Sequence, residues 1–176
     1  MACNPEVHRR KSIRLHGFDY SQPGAYCITI CTYKHQCLFG KVVSGETELN
    51  KLGKIVDSTW YELPNHNAHI ELDAFIVMPN HVHGVLFMND VGTRHAVSLR
   101  KFGESIPNSL SIIIGGFKSA VSRRINQLRN TSKTPVWQRS FYDHIIRDEN
   151  DLSNIRDYIA NNALKWESDK YYKENG

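Results

Sequence analysis

The sequence predicts an α+β domain, with one antiparallel-rich sheet and helices on one face. Three observations carry this. Unbroken β-branched and aromatic runs at 25–33, 70–78 and 81–87 read as strands. Apolar residues recur at three and four spacing over 49–63 and 110–125, as in helices with one buried side. The resulting order is strand, strand, helix, strand, strand, helix, strand, helix.

At 176 residues the chain fits a single domain spanning 1–176. Its core is expected at about 20–166, between a basic N-terminal arm (1–19) and a polar C-terminal tail (167–176) that is expected to fray. Apolar content is 40% and charged content 23%, the balance of an ordinary soluble globular protein. The net charge of +4 permits a polyanionic partner without demanding one. No apolar run approaches the ~20 residues of a membrane span, and no leader peptide is visible. Cys3, Cys27, Cys31 and Cys37 form no paired CxxC spacing, so a zinc ribbon is not expected. Free thiols suit a reducing cytoplasm.

Each element has its own local signals. Gln22-Pro23-Gly24 is a turn before the first strand, 25–33. A shorter strand, split by Gly40, is expected over 37–43, and Ser44-Gly45-Glu46 turns the chain. The first helix, 49–63, carries Leu52, Ile55, Val56, Thr59, Trp60 and Leu63, and Pro64-Asn65 ends it. Strands 70–78 and 81–87 flank the tight turn or bulge at Pro79-Asn80 and run antiparallel. The polar, glycine-dotted stretch 89–106 reads as a mobile loop. Ser109 caps a second helix striped with Leu110, Ile113, Ile114, Phe117, Val121 and Ile125. Residues 136–147 read as a fourth sheet element or extended segment. Asp148 and Glu149 open a last helix, to about residue 164, where acids match the helix dipole.

His81 and His83 are the first candidates for chemistry. At i and i+2 of a strand their imidazoles share a face, while Val82 turns to the core. Two readings fit. They are two histidines on a solvated strand face, or two thirds of a divalent-metal site lacking its third ligand. Tyr158 and Asn162 lie four apart on the last helix and so share a face too. Tyr158 is either packing or a nucleophile, and Asn162 either a helix cap or a ligand. A tyrosine hydroxyl, with a pKa of about 10, needs a metal-polarised electrophile to react at neutral pH.

The chain resembles the REP-associated tyrosine transposases, relatives of the insertion-sequence-200 type among the HUH single-strand endonucleases. The resemblance lies in R-R-K-S-I-R-L at 9–15, D-Y-S-Q-P-G-A-Y at 19–26, C-L-F-G at 37–40 and E-L-D-A-F-I-V-M-P-N-H-V-H-G at 71–84. It continues through G-G-F-K-S-A-V-S-R-R-I-N at 115–126, V-W-Q-R-S-F-Y-D-H-I-I-R at 136–147 and I-R-D-Y-I-A-N-N-A-L-K-W at 155–166. These stretches span nearly the whole chain in order. The resemblance implies a ferredoxin-like or RRM-like sheet and Mg²⁺ or Mn²⁺ held by His81 and His83, with Asn162 as the polar third ligand. It implies that Tyr158 attacks a phosphate of single-stranded or hairpin DNA, leaving a 5′-phosphotyrosine link and a free 3′-hydroxyl. The family usually has Asn-Pro where this chain has Asn162-Ala163, so the last helix is expected to run on by a turn.

Arg9, Arg10, Lys11 and Arg14 form a basic arm that suits phosphates, as do Arg123, Arg124 and Arg139, or each is a solvated charge. Trp137 or Tyr142 could stack on an unpaired base, or belong to the core. His35 and His144 read as structural or surface residues. The competing function is a non-catalytic hairpin-binding module with an RRM-like fold; a metal-dependent hydrolase using water is a third. Relatives include monomers and homodimers, and both are open for this chain.

Overall fold

A computed structural model describes residues 18–90 and 108–172. The basic arm with Arg9, Arg10, Lys11 and Arg14, and the expected loop from residue 91 onward, lie outside the described residues.

Six strands and four helices follow one another. They are β1 (Gly24–Cys31), β2 (Gly40–Val43), β3 (Glu46–Leu49), α1 (Lys51–Tyr61), α2 (Leu63–His66), β4 (Ile70–Val77), β5 (His81–Met88), α3 (Leu110–Leu128), β6 (Tyr142–Ile146) and α4 (Glu149–Ala160). The main sheet has the order β4-β5-β1-β6, and every pairing in it is antiparallel. The two strands richest in apolar residues, β1 and β5, are therefore central, as their unbroken β-branched sequence requires.

The alternation of side chains divides the sheet into two working faces. Tyr26, Ile28, Ile30, Val82 and Leu86 point one way and build the main core with Val56 and Trp60 of α1 and Ile113, Ile114, Phe117, Val121 and Ile125 of α3. This is the expected helical layer. The residues between them, Thr29, His81, His83 and Val85, point the other way. There α4 lies across the sheet, with Leu152 and Ile159 packed on Val85 and Cys27. The last helix thus sits apart from the other two and over the histidine face.

Several element boundaries, and one helix cap, differ from expectation. The first predicted helix begins with a strand: Glu46–Leu49 pairs with Gly40–Val43 as a separate hairpin. Its turn places Ser44 (φ 51) and Gly45 (φ 80) in the left-handed region, the geometry that a two-residue hairpin demands. The helix starts only at Lys51, where the Asn50 side-chain oxygen accepts from the amides of Leu52 (2.8 Å) and Gly53 (3.0 Å). Of 136–147, only Tyr142–Ile146 joins the sheet as a strand; Trp137 adds a single bridge to Thr32. Ser109 occupies the cap position of α3 without a side-chain capping bond.

The last helix stops at Ala160 instead of running past 163. Beyond Asn161 the backbone tightens into three-residue turns, with Asn162 N donating to Ile159 O (3.2 Å) and Trp166 N to Ala163 O (3.3 Å). No proline is needed. Asn162 goes into the site while Ala163 and Trp166 pack on Met78, and those burials bend the chain. The residues after Trp166, expected to fray, pack back on the histidine strand through Tyr171, whose ring lies 4.8 Å from His81.

Gly84 shows how tightly the helical layer seats. A β-carbon there would lie 2.6 Å from Trp60 Cζ2 and 2.7 Å from Cη2, and Trp60 is itself stacked on Phe75 at 4.5 Å. Gly84→Ala is expected to destabilise the fold by about 1–3 kcal/mol through overpacking. At roughly 2–4 °C per kcal/mol, thermal unfolding should show a clear drop in midpoint; an unchanged midpoint would contradict this packing.

Candidate metal and nucleophile site

His81 and His83 are buried, at 0% and 2% exposure, on the sheet face that α4 crosses. Each ring is held by its Nδ1. His83 Nδ1 lies 2.8 Å from the hydroxyl of Thr29, its register partner on β1. His81 Nδ1 lies 2.8 Å from Oδ1 of Asn80. The Asn80 amide is buried, and its nitrogen donates to the carbonyls of Tyr171 (2.7 Å) and His35 (3.3 Å). Two carbonyl acceptors fix that end as NH₂, so the oxygen faces His81 and the imidazole proton sits on Nδ1. His81 therefore offers a bare Nε2 lone pair, the arrangement that a neighbour's acceptor imposes on a metal-ligating histidine.

Burial keeps both rings neutral. It pushes His81 down to about 3, with the nearby Asn162 amide opposing and His35 adding to the shift. It also pushes His83 down to about 3, with His81 as the next contributor. Neutral imidazoles at physiological pH are competent ligands.

Tyr158 reaches this pair from α4. Its hydroxyl is 3.2 Å from His83 Nε2 and its ring packs edge-on at 5.1 Å. The residue stays 40% exposed, so the nucleophile candidate borders solvent. Its hydroxyl is pushed above the usual tyrosine value, chiefly by desolvation and then by the Asp169 carboxylate. Asn162 is buried beside it, close enough to interact with both Tyr158 and His81.

Buried polar atoms almost always have partners. Here His81 Nε2 and Asn162 Oδ1 are both buried and unpartnered. Two orphaned lone pairs next to a second imidazole fit a cation. Asp169, beyond α4, completes the group: His81, His83 and Asp169 bring ligand atoms within 4.8 Å of one another. The donor set, two imidazoles with amide and carboxylate oxygens, suits a divalent ion.

The other candidates disperse. Arg124 lies on α3, in the layer on the far side of the sheet, and forms a fork with Glu62 (2.7 and 3.0 Å) plus a bond to Thr59 (2.8 Å). Arg123 is exposed on the same helix, and Arg139 is exposed on the loop before β6. Trp137 is in the core, 7% exposed and packed on Phe39 and Phe117. Tyr142 is 45% exposed and pairs with Thr29, which puts it on the histidine face. His144 bonds Asp151 (2.8 Å) at the surface, and His35 stacks on Tyr171. Lys118 is no free surface cation: its ammonium donates to the carbonyls of Gln138, Arg139 and Ser140.

Sequence reasoning missed Thr29, Asn80, Asp169 and Tyr171. Asn80 stood beside the histidines but was read only as a turn residue. Asp169 lies in a polar tail with no local pattern to mark it.

The antiparallel sheet thus presents two imidazoles to a helix-borne tyrosine. The comparisons refine this. No family model matches the chain. An uncharacterized protein of Haemophilus influenzae is 35% identical over 175 residues, covering 96% of each chain. A second protein of that organism, described as a REP-associated tyrosine transposase, is 27% identical over 100 residues, 54% of this chain and 50% of that one. The solved structure of a REP-associated tyrosine transposase bound to a REP hairpin superposes with a TM-score of 0.59 at 18% identity, covering 86% of this chain and 73% of the other. The chain belongs to one family with that uncharacterized Haemophilus protein, and over about half of its length it is similar to the REP-associated tyrosine transposase. No helix among the described residues is long and apolar enough to cross a membrane.

One ion pair fixes α4 over the site. The pairing of β4 with β5 slips by one residue between Leu72 and Phe75, and Asp73 of this bulge receives Arg156 of α4 at 3.1 and 3.2 Å. The Arg156 guanidinium holds the Asp73 carboxyl below its usual range. A depressed folded pKa stabilises above the unfolded value of about 4 and the effect is lost as pH falls through the folded value. Because Arg156 is 43% exposed, Asp73→Asn should cost no more than about 1 kcal/mol. Urea unfolding should show that difference at pH 7 and a smaller one at pH 3; a pH-independent difference would contradict the pairing.

Proposed function

We propose that this protein is a divalent-metal-dependent transposase-type enzyme that cleaves and rejoins single-stranded DNA through Tyr158. The observation that carries the reading is the convergence of the Tyr158 hydroxyl, the His83 and His81 Nε2 atoms and the Asn162 amide in one buried cluster open to solvent at the tyrosine. Similarity to a REP-associated tyrosine transposase supports DNA as the substrate. The hairpin bound in the related solved structure supports hairpin-forming single strands.

In this reading His81, His83 and Asn162 hold Mg²⁺ or Mn²⁺, which when bound supplies Lewis-acid stabilisation of negative charge on the phosphate. Asn80 holds His81 in the ligating tautomer, and the Thr29 hydroxyl positions the His83 ring. Burial beneath α4 and the segment after it keeps bulk water from the imidazoles. Tyr158 attacks in line: its oxygen bonds to phosphorus as the bond to the 3′ oxygen breaks, the tyrosine proton is released, and the leaving 3′ oxygen takes up a proton. The product is a 5′-phosphotyrosine ester with a free 3′-hydroxyl. No water is consumed, so the ester conserves the energy for rejoining when a 3′-hydroxyl attacks it. A position at the edge of the site, 40% exposed, suits a nucleophile that must meet a long polymer.

Arg9, Arg10, Lys11, Arg14, Arg123 and Arg139 are proposed to contact the DNA backbone. Arg124, committed to Glu62, serves the fold first. Tyr142, exposed on the histidine face, is the better stacking candidate than the buried Trp137. The chain acts as a monomer or a homodimer.

The test uses a labelled hairpin-bearing single strand with Mn²⁺, read on denaturing gels. Wild type should give a covalent protein–DNA adduct, and Tyr158→Phe should lose it by at least ~10³-fold while still binding DNA. Cleavage that survives Tyr158→Phe without any adduct would point to a hydrolase. Binding with no cleavage by either protein would leave a recognition module.

A further inference from the structure

The segment after α4 packs directly against the imidazoles, and the mechanism above gives it no task beyond cover. Trp166 anchors its start against Met78 and Ala163. Tyr171 anchors its end: its ring lies 4.8 Å from His81 and stacks on His35, and its carbonyl accepts from Asn80. Between these anchors stands Asp169. Its Oδ1 accepts from the Tyr171 amide at 2.6 Å, so one carboxylate oxygen is spent on holding the residue in place. Its Oδ2 faces inward, where the Asn162 amide nitrogen makes a weak contact at 3.5 Å, and the carboxylate also interacts with the Tyr158 hydroxyl.

We propose that Asp169 is a protein donor to the divalent ion, delivered by the 166–172 segment that Asn80 locks to the histidine strand. The inference rests on the metal reading above and adds a residue to it. Four considerations converge. Among the described residues, Asp169 is the acidic residue whose ligand oxygen falls within 4.8 Å of both imidazole donors. Its inward oxygen makes only a weak contact with Asn162 and an interaction with Tyr158, while the buried His81 Nε2 and Asn162 Oδ1 of the same cluster lack partners. The segment that carries it is held to the histidine strand by the Asn80 amide, which donates to the Tyr171 carbonyl at 2.7 Å. Finally, oxygen donors are what hard ions such as Mg²⁺ and Mn²⁺ prefer, and two imidazoles alone would favour softer metals. One carboxylate leaves the occupied centre with a net charge of +1, still attractive to a phosphate.

Asn80 then serves both halves of the centre. The same amide that sets the His81 tautomer clasps the Tyr171 carbonyl, so the ligand strand and the carboxylate segment are positioned together.

The experiment is a Mn²⁺ titration of the full-length protein, following free Mn²⁺ by electron paramagnetic resonance. Asp169→Asn keeps the Oδ1 acceptor and removes the charge, so circular dichroism and thermal midpoint should match wild type. Its Mn²⁺ affinity should fall at least about tenfold, a loss on the scale seen when a metal's supporting groups are removed. Asp169→Ala, a second variant, should fall at least as far. His81→Ala, run alongside, should abolish tight binding. Wild-type affinity in both Asp169 variants, with binding lost in His81→Ala, overturns the assignment of Asp169 and leaves the histidine centre standing. Mn²⁺ affinity unchanged in His81→Ala overturns the metal reading and this inference with it.

Discussion

The side-chain amide of Asn80 is the constraint on which the site depends. Its nitrogen faces two backbone carbonyls and its oxygen faces His81 Nδ1, and with the group fully buried no other orientation satisfies all three contacts. That one choice puts the proton of His81 on Nδ1 and leaves the lone pair on Nε2. Backbone bonds hold Asn80 in turn: its carbonyl accepts from the amide and the hydroxyl of Thr32, at 2.8 and 2.9 Å. The bend between β4 and β5 is thus a rigid mount for a ligand, and the apolar run around it supplies the stiffness.

The two faces of the sheet divide the labour. The face toward α1 and α3 is apolar and close-packed, with Trp60 seated over Gly84. It supplies the stability that allows the other face to bury neutral imidazoles and unpartnered polar atoms. Such groups are expensive to bury and persist only where the rest of the fold over-determines them. The tyrosine helix is held there by modest means: a few aliphatic contacts and the Arg156–Asp73 pair at a bulge. A helix tethered in this way places a hydroxyl beside the histidines while leaving it bordering solvent.

Much of this was legible in the sequence. Strands with unbroken β-branched runs declared themselves, and period two put His81 and His83 on one face without any structure. The i, i+4 relation of Tyr158 and Asn162 placed both on one helix side, and the structure brings them to the histidines. What escaped was non-local or short. The strand at 46–49 is too brief to show alternation, so it merged with the helix behind it. The missing proline after Asn162 suggested a longer helix, yet burial of Asn162, Ala163 and Trp166 ended it just the same. Asp169 and Tyr171 sit in a polar stretch whose order comes from contacts some ninety residues away, at Asn80, and no local signal encodes that. Arg124 carried the charge of a DNA contact, but Glu62 is its partner across the helical layer.

The central claim is that Tyr158, facing the two histidines, is the atom source for a covalent link to DNA. Mass-spectrometric mapping of the adduct formed on a hairpin-bearing single strand tests it most directly. The account predicts a nucleotide 5′-phosphate on the peptide containing Tyr158 and on no other. Attachment to Tyr142 or Tyr171, or cleaved DNA with no modified peptide, would contradict it.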